Sequence, residues 1–161
     1  IDAHSPTVIR LHPFLAFRNF HQLSKANLDV NTKYQQIENG IKTRMYDAYP
    51  FLHMQLSKQN EFVSAPDWFY NIEYPEEQKR GFEAHEDLFV PGFFEFPMKK
   101  GETIIFSASL EQELPRSLKR KFTSEMSKRI QRENFDKCLD YSADQFILLK
   151  GKNKDSIQRF S

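Results

Sequence analysis

Along most of the chain, apolar and polar residues alternate in short runs; in the last third, the apolar ones recur every fourth position. Residues 7–18 (TVIRLHPFLAFR) predict a strand in which Val8, Arg10 and His12 oppose Ile9 and Leu11, with Pro13 marking an edge or a bend. A polar run from His21 to Thr32 predicts a loop. The segments TKYQQIENG and IKTRMY predict a hairpin turning at Asn39-Gly40, since both positions tolerate positive φ. Residues 51–56 (FLHMQL) alternate with period two. EFVSAPDWFYNIEY predicts either a strand pair or one strand bent across Pro66. PEEQKRG predicts one helical turn, with Pro75 at its first position and Gly81 as its C-terminal cap. LFVPGFFEFPM and ETIIFSASL then predict two strands separated by Lys99-Lys100-Gly101. The total is about seven or eight strands of roughly six residues with turn signals between them, the pattern of an antiparallel β-sandwich.

From Pro115 onward Leu118, Phe122, Met126 and Ile130 form one stripe of an α-helix, with Arg116, Lys119, Arg120, Lys121, Lys128, Arg129 and Arg132 on its remaining surface. A second helical stretch is predicted from Phe135 to about Ser142, and the polar tail KGKNKDSIQRFS is predicted to fray. The fold class expected is therefore mainly β: a sandwich domain over residues 1–114, followed by a helical segment over 115–161.

Composition narrows the function classes. The chain has 161 residues, enough for one domain with an appended segment. Mean hydropathy is low at −0.67, yet 16 Phe, 6 Tyr and 1 Trp supply the area for a core. A net charge of +1 provides no global field for nucleic acid or anionic lipid, so neither partner is expected. Cys138 is the sole cysteine, cannot form an internal disulfide and lacks partners for a metal site; a reducing, cytoplasmic setting is expected, with Cys138 as a small apolar residue on a helix. The five histidines (His4, His12, His21, His53 and His85) are too scattered to suggest a metal site, and no cofactor is expected. No apolar run reaches the ~18–20 residues needed to cross a bilayer. The first residue is Ile1 rather than Met, which reads as a piece of a longer polypeptide.

The densest chemistry lies between Arg80 and Phe96 (RGFEAHEDLFVPGFFEF), which reads as a turn-rich run broken at Pro91-Gly92. Glu83, Glu86 and Asp87 have the residue types of a glycoside-hydrolase carboxylate pair, for which separations of about 5 Å suit retention and about 6.5–9.5 Å inversion. The structural alternative has Glu86 or Asp87 accept hydrogen bonds from loop N–H groups and pair with Arg80. Arg18 and His21, in RNFH, suit gripping a sugar hydroxyl or an acidic partner; the alternative is an arginine satisfying loop carbonyls. Trp68 and Tyr70 share one face of their strand and Phe69 takes the other, so the trio is divided between core and a stacking platform for pyranose rings. There is no GxSxG-type elbow for serine catalysis, and no helix-turn-helix or RNP signature accompanies the basic helix.

Three strings together carry a resemblance. RLHPFLAFRNFHQL, WFYNIEYPEEQKRGFEAHEDLFVPGFFEF and LDYSADQFILLK, in this order, resemble the N-terminal β domain of bacterial and archaeal glycogen debranching enzymes and its junction with their helical barrel. The resemblance implies a galactose mutarotase-like β-supersandwich, here its latter half, because the family's Gly-rich, TRRYHG-like segment has no counterpart. It also implies a following (α/α)6 barrel that carries the amylo-α-1,6-glucosidase chemistry, with the catalytic carboxylates beyond Ser161 and none in this chain. Expected partners are that catalytic domain and, through the full-length enzyme, an α-glucan such as glycogen or limit dextrin. Arg18, His21, Trp68, Tyr70, Arg80, Glu86 and Asp87 are then candidates for the domain interface or the outer glucan-binding rim. Exposed strand edges invite self-association as a homodimer. Three other readings stay open: a carbohydrate-binding module that stacks aromatic rings on α-glucan, an interaction domain whose basic helix meets an acidic partner, and a free-standing enzyme, against which stands the lack of a complete catalytic constellation.

Overall fold

A computed structural model describes residues 7–19, 22–129, 134–144, 147–149 and 157–159. The chain divides into two compact units, residues 1–119 and 120–161.

The first unit is β-dominant. Strand β1 (Thr7–Leu11) pairs antiparallel with β6 (His85–Met98), which pairs on its other side with β5 (Glu61–Glu73), giving a three-stranded sheet ordered β1-β6-β5. A second antiparallel sheet runs β2 (Tyr34–Ile37), β3 (Gly40–Thr43), β4 (Leu52–Leu56), β7 (Phe106–Ser109). The two sheets share one core. Ile41, Met54 and Leu56 from the second meet Phe62, Phe89, Phe94 and Phe96 from the first, with Leu15 and Met45 completing the cluster. Aromatic pairs join the sheets directly: Tyr34 lies 4.8 Å from Phe62 and Phe94 5.8 Å from Phe106, ring centroid to centroid, in edge-on arrangements favoured by ring quadrupoles.

The expected alternation of β1 holds, with Val8 and Arg10 exposed and Ile9 and Leu11 half-buried. EFVSAPDWFYNIE is one bent strand, β5, rather than two. It carries an irregularity between Ser64 and Asp67, around Pro66, and another between Phe69 and Ile72, where Asn71 takes φ +57°.

Two expectations are corrected. Pro91-Gly92 does not break the chain: β6 runs straight through it for 14 residues. A proline in a central strand forfeits a ladder hydrogen bond, and the fold removes that demand by interrupting the two flanking strands at its level. Pro13 lies where β1 has already ended, Pro66 lies in the first irregularity of β5, and Pro91 lies beside both. Gly92 fits this crowded point with φ +145°; a Cβ there would collide with the Val63 carbonyl oxygen and come within 2.9 Å of Ala65 N. The first hairpin forms, but its two-residue loop is Glu38-Asn39, with Asn39 at φ +51° and Gly40 already paired to Ile37. Gly40 is needed for a different reason: a Cβ would strike the Met54 backbone of the neighbouring strand.

Helix α1 (Pro75–Lys79) matches expectation. Pro75 opens it and Gly81, at φ +78°, closes it, with Gly81 N–H bonded to Gln78 O at 3.0 Å and Phe82 N–H to Glu77 O at 3.1 Å. Helix α2 (Pro115–Lys128) begins at the expected proline. Its apolar stripe is covered only at the start: Leu118 is buried, Phe122 and Met126 are exposed, and Ile130 lies outside the described residues. Helix α3 (Phe135–Asp144) is capped by Asn134, whose side-chain oxygen accepts from Lys137 N–H at 2.9 Å. The tail departs from the frayed expectation, since β9 (Ile157–Arg159) pairs antiparallel with β8 (Ile147–Leu149).

Candidate functional site: a carboxylate clasp on a central strand

Glu86 and Asp87 stand near the start of β6, both buried. Consecutive residues of an extended strand leave it on opposite faces, so the two carboxylates do not converge on a common point. Each instead turns to a neighbouring segment. Glu86 is fully enclosed and accepts four hydrogen bonds. Arg18 grips it with two parallel bonds, Nε to Oε1 at 2.5 Å and Nη2 to Oε2 at 3.1 Å. Ser24 N–H adds 2.9 Å to Oε1 and the Tyr74 hydroxyl 2.7 Å to Oε2. Asp87 accepts Ala26 N–H at 3.0 Å on one oxygen and Asn71 N–H at 2.9 Å on the other. It thereby ties the 22–26 loop to β5 across the strand between them. The Asn71 N–H is the one turned aside by the bulge in β5, so Asp87 satisfies a backbone donor that the sheet has lost. Asp87 N–H to Ser24 O at 2.8 Å and Lys25 Nζ to His85 O at 2.6 Å complete the lacing.

The electrostatics follow. Burial by itself pushes the Glu86 carboxyl up. The Arg18 fork, the Ser24 N–H and the Tyr74 hydroxyl outweigh it and bring it down to about 2. Asp87 is also held below its ordinary value, by the Ala26 and Asn71 N–H groups. Arg18 is raised, chiefly by its bonds to Glu86, and so is Tyr74, for which donating to a carboxylate favours the neutral phenol. At neutral pH the cluster is an ionised Glu86–Arg18 pair whose carboxylate accepts four hydrogen bonds.

The sequence-derived candidates separate accordingly. Arg18, Glu86 and Asp87 come together. Arg18 also bonds the Asn19 carbonyl at 3.2 Å, so the loop-satisfying role and the charge-pairing role coexist. His21 lies outside the described residues. Arg80 is not the partner of Glu86 or Asp87: it is exposed and pairs with Glu77 at 3.2 Å, one helical turn away. Glu83 is exposed too, at 3.2 Å from Lys25. Trp68 is half-buried against the core, its ring 5.4 Å from Phe89, whereas Tyr70 is 61% exposed. The bulge between Phe69 and Ile72 breaks the alternation that would have put Tyr70 beside Trp68.

Ser24, Ala26, Asn71 and Tyr74 were not legible as site residues. Three act through backbone N–H groups, which carry no residue signature. For Tyr74 a signal exists: the residue before a proline is driven out of the helical region, so Tyr74 precedes α1 in a non-helical conformation (φ −112°, ψ 87°), and its hydroxyl reaches Glu86 on β6.

Beside Arg18 lies an open groove of about 320 Å³, walled by Phe14, Phe17, Tyr49 and Leu110. Among the described residues no group of three or more His, Cys, Asp or Glu is placed to hold a metal ion, and no helix is long and apolar enough to cross a membrane.

The class of protein these features define is a β-dominant domain followed by helices, with a carboxylate clasp on the central strand of one sheet. A family profile described as "Glycogen debranching enzyme N terminal" matches residues 1–105, and the chain belongs to that family. No curated protein and no solved structure gives a significant match.

Proposed function

We propose that this chain is a non-catalytic β-domain portion of a glycogen debranching enzyme, supporting a helical barrel that performs amylo-α-1,6-glucosidase chemistry and shaping the rim that meets α-glucan. The observation that carries this reading is the state of Glu86. A general acid in glycoside hydrolysis needs a carboxyl that still holds its proton near neutral pH. Glu86 is ionised down to about pH 2 and accepts four hydrogen bonds. Asp87 is lowered as well and leaves the strand on the other side. The richest acidic motif of the chain is thus spent on holding the 18–26 segment to the β6 strand.

In this reading the two sheets are part of a galactose mutarotase-like supersandwich, and the chain from Pro115 onward is the connector into the barrel. The exposed apolar side chains Phe122, Met126, Phe135 and Leu139 support that role, since helices destined for a larger helical body need apolar positions left to bury. The family membership supports the substrate class. The test uses a polypeptide carrying these residues ahead of an (α/α)6 barrel. Arg18→Met is expected to lower thermal stability and turnover of branched limit dextrin together. Unchanged stability and unchanged turnover would remove the clasp from the account.

A further inference from the structure

The groove beside the clasp has a composition that the clasp does not explain. Three aromatic rings, Phe14, Phe17 and Tyr49, line it together with aliphatic residues that include Leu52 and Leu110. Phe14 is 48% exposed and Leu110 64% exposed. Phe17 and Tyr49 stand edge to face at 5.9 Å, and Phe14 is braced in the same way against Phe69 at 4.7 Å, so the rings are held in place by their neighbours. Among the described residues Arg18 is the one charged residue in the lining, and its charge is compensated by the two-point bond to Glu86. The groove is consequently apolar, part aromatic and part aliphatic, with one compensated charge among the described residues. Phosphate and acidic peptides would find no uncompensated cation there, and basic peptides no uncompensated anion. A neutral polyhydroxylated ring matches it: the C–H faces of a pyranose pack on aromatic rings, and the sugar brings no charge that the groove would have to compensate. Ligand sites begin at about 300 Å³, so a groove of about 320 Å³ has room for one or two sugar rings.

We infer that the Phe14–Phe17–Tyr49 groove is an α-glucan subsite, engaging one or two glucosyl rings of a linear chain at a distance from any bond being cut. The inference rests on the debranching-enzyme reading for its ligand class and on the groove for its location.

The experiment titrates the 161-residue protein with maltoheptaose, an unbranched α-1,4 oligosaccharide without the α-1,6 bond, and follows binding by calorimetry. Saturable binding is expected, insensitive to added salt because neither partner contributes a free charge. Phe14→Ala is expected to weaken it about tenfold or more, the equivalent of one lost ring contact. Leu110→Arg places bulk in the groove from an exposed position without removing core contacts, and is expected to abolish saturation with an unchanged melting temperature. Tyr70→Ala, an exposed aromatic outside the groove, is expected to leave affinity as it was. Absence of saturable binding, or binding indifferent to both groove substitutions, overturns the subsite. Neither result touches the debranching-domain reading, which is decided by turnover in the longer polypeptide.

Discussion

Replacing Glu86 by glutamine tests the clasp with almost no change of shape. Its side chain is fully buried, and four donors point at it: two from Arg18, one from Ser24 and one from Tyr74. Glutamine keeps one acceptor oxygen but places an NH₂ group where a second oxygen received Arg18 Nη2 and the Tyr74 hydroxyl. The phenol can turn to accept; the guanidinium cannot, because it has no acceptor. Arg18 is then left without its counter-charge in a largely enclosed site, a situation that costs about 3–5 kcal/mol when one partner of a buried pair is removed. The lowered pKa, which arises from the same bonds, leads to a similar figure. A carboxyl moved from 4.5 to about 2 on folding contributes roughly 3 kcal/mol at neutral pH. The sign is that of a depressed acid. Its contribution is fully present above the unfolded value of 4.5 and disappears as pH falls towards about 2. At neutral pH Glu86→Gln is thus expected to lower the melting temperature by about 6–12 °C, taking about 2–4 °C per kcal/mol for a chain of this size. Thermal unfolding followed by circular dichroism from neutral to acid pH measures this. The gap between wild type and variant should close as pH drops through that window. A variant as stable as wild type at neutral pH, or a gap that stays constant into acid, would refute the reasoning.

Other outcomes follow from the same geometry. Gly92→Ala, at φ +145° with the Val63 carbonyl in the way, is expected to cost about 3 kcal/mol or more, whereas Gly101→Ala, at φ +76° with nothing within 4 Å, should cost only about 1 kcal/mol; urea unfolding ranks the two. Gln55 is buried and bonds Glu38 O at 2.9 Å, Glu113 O at 2.9 Å and Glu113 N–H at 2.8 Å, so Gln55→Leu should cost about 2–4 kcal/mol by stranding backbone groups, visible as faster amide exchange around residues 38 and 113. Asp87→Asn should speed exchange of the Asn71 or Ala26 N–H, since the amide side chain keeps one acceptor oxygen for two donors; equal protection of both would contradict the bridging role.

Much of the fold was legible because its signals are local. Pro75 and Gly81 bracket α1, Pro115 opens α2, and the Val8/Arg10 alternation marks β1 as half-buried. The errors occurred where a residue type has more than one physical use. Asn39-Gly40 reads as a loop dipeptide, but the chain uses Asn39 for positive φ and Gly40 for close backbone approach. Pro91-Gly92 reads as a break, but β1 has ended before Pro13, β5 is irregular around Pro66 and Gly92 takes the positive φ, a compensation that no local window contains. The site was half legible: the carboxylates stood out by type, while the partner Arg18 lies 68 positions from Glu86 and the other donors are mostly backbone N–H groups. Arg80 looked the natural counter-ion because it is near in sequence, yet α1 turns it towards Glu77.

The central claim of the proposal is that Glu86 and Asp87 hold structure rather than act in hydrolysis. The direct measurement is glucose release from a branched α-1,6 limit dextrin by the purified 161-residue protein, wild type and Glu86→Gln side by side. The account predicts no release from either. Glucose released by wild type and lost in Glu86→Gln would contradict it.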